Sequence, residues 1–73
     1  MKLPRVSGKH TVEALLRVGF VIHRVRDSHY ILKNAATGRR VTVPYHHREL
    51  ALKTLSYILK QAGISPEEFS NLL

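Results

Sequence analysis

Asp27-Ser28-His29-Tyr30-Ile31-Leu32, followed after a short loop by Gly38-Arg39-Arg40-Val41-Thr42-Val43-Pro44, is the stretch that decides the fold. Asp27-Ser28 is turn chemistry, and the residues before and after it are rich in β-branched and aromatic side chains. A strand over about 20–26 therefore reverses into a second strand over 29–33. Asn34-Ala35-Ala36-Thr37-Gly38 reads as a loop, and Arg40-Val41-Thr42-Val43 alternates cleanly before Pro44 stops the ladder. That alternation turns Val41 and Val43 inward and Arg40 and Thr42 outward.

Upstream of the hairpin, Ser7 is placed as an N-cap. Val12, Leu15, Leu16 and Gly19 give an apolar stripe closed by a glycine, which predicts a first helix over 8–18. Downstream, Leu52, Leu55, Ile58, Leu59 and Ala62 recur at helical spacing after Leu50, and Gly63 ends the pattern. This second helix begins between residues 47 and 53. Ser65-Pro66-Glu67-Glu68 combines an N-cap, a proline at the first helical position and a capping-box glutamate. It opens a short last helix that carries Phe69, Leu72 and Leu73. The predicted class is α+β in the order α-β-β-β-α: a three-stranded antiparallel sheet, helices on one face, a short C-terminal helix, and the other face open.

Seventy-three residues suit one domain over 1–73, which buries about 60–65% of its unfolded surface. The chain has no cysteine, which removes disulfides, thiolate nucleophiles and cysteine-based zinc sites. Met1-Lys2-Leu3-Pro4-Arg5 is followed by no apolar run of signal-peptide length, and no stretch approaches the ~20 residues of a membrane span. A cytoplasmic protein is the expectation, with no membrane contact.

Twelve Lys and Arg against five Asp and Glu give a formal charge of +7. The excess is uneven. Residues 1–60 hold all twelve bases and three acids (Glu13, Asp27, Glu49), a charge of +9, whereas residues 61–73 hold Glu67 and Glu68 alone, a charge of −2. A small basic body of this kind attracts polyanions, with binding that weakens steeply with salt.

Five histidines invite chemistry. His10 falls in the first turn of a helix and His23 in mid-strand, both solvated positions. His46-His47 lacks a second ligand pair, and no HExxH occurs, so no metal site and no cofactor is expected. His29 begins a strand directly after a tight turn, held by the ladder yet reachable by substrate, as a general base requires. RNA supplies its own nucleophile in the 2′-hydroxyl. A base to take that proton and cations to hold the phosphate charge then suffice for cleavage. The glycines at 8, 19, 38 and 63 form no phosphate-cradling loop, the acids are not paired, and no Gly-x-Ser-x-Gly occurs.

Leu3-Pro4, Ser7-Gly8-Lys9, Ala14-Leu15, Gly19-Phe20, Ser28-His29-x-Ile31-Leu32, Gly38 to Pro44, His46, Leu50, Thr54-Leu55, Ile58-Leu59, Gln61 to Ser65 and Glu68-Phe69, in this order and spacing, resemble the HicA toxins, also called YcfA-like mRNA interferases. The resemblance covers nearly the whole chain. It implies a fold similar to a double-stranded-RNA-binding domain. It also implies a ribonuclease toxin of a type II toxin-antitoxin system that cuts mRNA and arrests growth under stress until a HicB antitoxin covers it. The family's catalytic histidine lies in a Gly-Ser-His motif that maps onto His29, with Asp27 standing where glycine is usual. That carboxylate could orient the imidazole or repel the phosphate. Lys9, Lys33, Arg39, Arg40 and His46 are the expected RNA contacts, although His46-His47-Arg48-Glu49-Leu50 replaces the family's usual glycine-containing stretch. A non-catalytic RNA-binding domain using the same basic surface is the alternative. A DNA-binding adaptor fits less well, since the second helix reads as core-facing.

Overall fold

Ser7 opens the first helix as its sequence position predicts. Its Oγ accepts a hydrogen bond from the backbone N–H of His10 at 3.2 Å, and the Thr11 hydroxyl donates to the Ser7 carbonyl at 2.9 Å. From there the computed structural model runs α1 (Gly8–Arg17), β1 (Val21–Arg26), β2 (His29–Asn34), β3 (Arg39–Pro44), α2 (Leu52–Ala62) and α3 (Pro66–Asn71). It describes residues 3–73. Met1 and Lys2, the start of the N-terminal stretch read above, lie outside the described residues.

The sheet has the order β1-β2-β3 and is antiparallel throughout. Leu32 lies opposite Val41 and Tyr30 opposite Val43, so these side chains share one face, and Leu32, Val41 and Val43 are fully buried there. Helices α1 and α2 both pack over β3 on that face, and α1 also reaches β1. Val12, Leu15, Leu55, Ile58 and Phe69 complete the core. Burying each large apolar side chain contributes about 1.5–3 kcal/mol, and this burial is what holds helices this short in place. The capping box of α3 is formed, with Glu68 N–H to Ser65 Oγ at 3.1 Å and Ser65 N–H to Glu68 Oε1 at 3.2 Å. It delivers Phe69 to the core. Among the described residues, no helix is long and apolar enough to cross a membrane.

Several boundaries differ from the sequence reading, each for a packing reason. α1 stops at Arg17, and Phe20 leaves the strand to become a core residue whose N–H donates to the Leu15 carbonyl. Leu16 drops out of the apolar stripe and is 42% exposed. The buried side of α1 is instead Thr11, Val12, Ala14 and Leu15. Asn34, expected in the loop, pairs with Arg39 and lengthens the hairpin. Pro44 does not stop the ladder. It lies opposite His29, and the next residue, Tyr45, donates its N–H to the Ser28 carbonyl. A proline is tolerated there because β3 is an edge strand.

Candidate nucleic-acid interface

The face of the sheet away from the helices is built by register. On β2 it carries His29, Ile31 and Lys33. Opposite them on β3 lie Pro44, Thr42 and Arg40, and on β1 Arg26, Arg24 and Val21. Three cross-strand rows result, about 7 Å apart along the strands. Each row carries a cation: Arg26 beside His29, Arg24 beside Ile31, and Lys33 with Arg40. No carboxylate lies among these nine residues. Such a face is a continuous cationic strip on an exposed surface, suited to a polyanion laid along it.

A β-bulge changes which residue of β1 ends the strip. Between Ile22 and Arg24 the register shifts, leaving His23 without a partner. Counting back from the two-residue turn without the bulge, His23 would face Leu32 on the helix side. The extra residue puts Ile22 there instead and sends Val21 to the row of Lys33.

His29 is exposed and stands at one end of the strip. β2 begins immediately after the Asp27-Ser28 turn, in which Asp27 takes φ +55° and Ser28 does not, the pattern of a type II′ turn. That positive φ favours glycine; aspartate tolerates it at some strain. Cross-strand neighbours on both sides, Arg26 and Pro44, hold the His29 backbone, and the imidazole has a guanidinium-bearing neighbour directly across the ladder.

The segment after β3 brings further basic groups to the same end. Tyr45 is tied to Ser28 through its backbone, and its ring stacks on Tyr30 with centroids 4.1 Å apart. The His46 carbonyl then accepts from the Lys9 N–H at 3.5 Å. Gly8 makes this approach possible, since a Cβ there would collide with the carbonyl oxygen of Pro44. Lys9 and His46 thus belong to the His29 end.

The other expected contacts separate. Lys33 and Arg40 lie together at the far end of the strip, about 13 Å from His29 along β2. Arg39, although adjacent to Arg40, is on the opposite face. Its guanidinium donates to the Gln61 carbonyl at 3.4 Å and packs against Gly63, whose φ of +73° ends α2. Arg39 therefore neutralises the carbonyl end of a helix. Sequence reasoning missed Arg24 and Arg26. Arg26 was legible, because a two-residue turn at 27–28 forces 26 opposite 29; placing the residues beyond Arg24 required the bulge. Among the described residues, no group of three or more His, Asp or Glu side chains is arranged to hold a metal ion.

The family model described as the HicA toxin of bacterial toxin-antitoxin systems matches residues 3–64, most of the chain, whereas no curated protein matches. The chain belongs to that family.

Proposed function

Starting from membership of the HicA toxin family, we propose that this protein is an endoribonuclease, the toxin that cleaves mRNA in the cytoplasm and is restrained by a HicB-type antitoxin. The observation that carries the reading is the exposed His29 at the end of a carboxylate-free cationic face, with Arg26 directly across the ladder. His29 acts as general base and removes the proton of a ribose 2′-hydroxyl. The freed oxygen attacks the adjacent phosphorus, the bond to the 5′-oxygen breaks, and that oxygen leaves with a proton from the imidazolium or from water. One product ends in a 2′,3′-cyclic phosphate, the other in a 5′-hydroxyl.

Arg26 offsets the charge that accumulates on the phosphoryl oxygens, Lys9 extends the cationic field at that end, and His46 adds a hydrogen-bonding ring. Arg24, Lys33 and Arg40 hold neighbouring phosphates. Arg39 is reassigned from RNA contact to helix cap. An antitoxin that presents carboxylates to the strip blocks the imidazole and the phosphate contacts together, and its association is faster at low salt.

Because the nucleophile is the substrate's own hydroxyl, this chemistry proceeds on histidine and cations alone. A synthetic transcript incubated with the protein should yield 2′,3′-cyclic or 3′-phosphate ends, at the same rate with and without EDTA. Products with 3′-hydroxyl ends formed only when magnesium is present would overturn the mechanism.

A further inference from the structure

Beyond Lys33 and Arg40 the cationic strip ends in a cleft of about 440 Å³ at the 34–38 turn. Its walls are Val21, Lys33 and Arg40 from the open-face row, the bulged His23, Asn34, Ala35 and Gly38 from the turn, and Arg39 at its edge. No carboxylate is among the residues lining it. The turn is fixed from within: Gly38 N–H donates to the Asn34 carbonyl at 2.8 Å, Ala36 N–H to Asn34 Oδ1 at 3.0 Å, and Arg39 N–H to Thr37 Oγ1 at 3.2 Å. Asn34 Nδ2 in turn reaches the Val18 carbonyl at 3.4 Å, tying the turn to the end of α1. A preformed concavity lined by Lys33, Arg39, Arg40 and His23 is built for an anion larger than a simple ion.

We propose that this cleft is a distal subsite for a backbone phosphate of the RNA strand whose scissile phosphate lies at His29, an inference that rests on the ribonuclease reading above. The separation sets the register. About 13 Å along β2 corresponds to roughly four nucleotides at the ~3.4 Å rise of a stacked strand, and fewer if the strand is extended. Arg24, in the intermediate row, lies under the connecting nucleotides. The bulge leaves His23 without a cross-strand partner, and His23 is among the residues that line the cleft. The substrate is therefore a strand long enough to span both ends of the sheet, and fragments that stop short lose the anchoring phosphate.

The test uses RNA oligomers of two to eight nucleotides built around a cleavage position mapped on a longer transcript. For the wild type, kcat/KM should rise by about tenfold once the oligomer reaches the cleft, as expected for one charge-assisted contact, with the change in KM. In Arg40→Gln this long-to-short ratio should collapse towards one, and Arg40→Lys should restore most of it. In the His29→Ala background, which separates binding from cutting, Arg40→Gln should lower the salt slope of long-oligomer binding by about 1. A kcat/KM indifferent to length, or an Arg40→Gln effect equal on short and long oligomers, would overturn the subsite. So would a cleft variant that keeps full RNA affinity but no longer binds the antitoxin protein, which would make the cleft a protein contact. Length-dependent binding without any cleavage by the wild type would uphold the subsite while removing the ribonuclease reading.

Discussion

The two ends of the sheet place similar residues in different surroundings. At the Arg26–His29–Pro44 end, an imidazole and a guanidinium are exposed on the open face, and the start of α1 is pressed against the segment that follows β3. At the Lys33–Arg40 end, the cations flank a cleft, and one arginine of an adjacent pair is diverted to the other face to cap α2. The difference teaches that residue type alone does not assign a role on a sheet. Strand parity does: Arg39 and Arg40 are chemically identical, one peptide apart and both exposed, yet pleating brings Arg39 to the carbonyl end of α2 and leaves Arg40 on the open face.

The strongest way to break this contrast is His29→Ala. If the His29 end is the reacting end, cleavage of a synthetic transcript falls by ~10²–10⁴ while stability changes by less than ~1 kcal/mol, since the side chain is exposed. Equal cleavage by both proteins, compared at the same folded concentration, would move the chemistry elsewhere. Next in size is Gly8→Ala, which puts a methyl against the Pro44 carbonyl and must displace α1 or the 44–46 segment. A loss of roughly 2–3 kcal/mol is expected, read as a drop in Tm of about 10–20 °C. A Tm within 2 °C of wild type would show that the two segments are not packed as described.

The Arg39–Arg40 comparison is sharpened by exchanging one readout for another. Arg40→Ala should weaken RNA binding by about tenfold and flatten its salt dependence with little change in Tm. Arg39→Ala should instead cost about 0.5–1 kcal/mol by freeing the end of α2, and leave the salt slope nearly untouched. Identical effects of the two changes on RNA binding would erase the distinction between the faces. The smallest effect is expected at the turn. Asp27→Gly relieves the left-handed strain and removes a carboxylate beside the strip, so stability should rise by up to about 1 kcal/mol and RNA affinity by less than ~3-fold. A lower Tm in chemical or thermal unfolding would mean that the Asp27 side chain stabilises the turn.

The order of elements, the helix starts at Ser7 and Ser65, the turn at Asp27-Ser28 and the inward facing of Val41 and Val43 were legible in the sequence by itself, as was the basic character of the chain. All of these follow from near neighbours: caps reach three residues, a turn spans two, and pleating repeats every two. What only the tertiary structure decided depends on partners far along the chain. The bulge at His23 sets which β1 residues join the strip. Arg39 is claimed by the carbonyl end of a helix 22 residues later. Phe20 leaves its strand for the core, and Leu16 stays outside the buried side of α1 formed by Thr11, Val12, Ala14 and Leu15. A local pattern fixes the direction of a side chain relative to its own strand or helix, but the neighbour it meets there is chosen by how the elements pack.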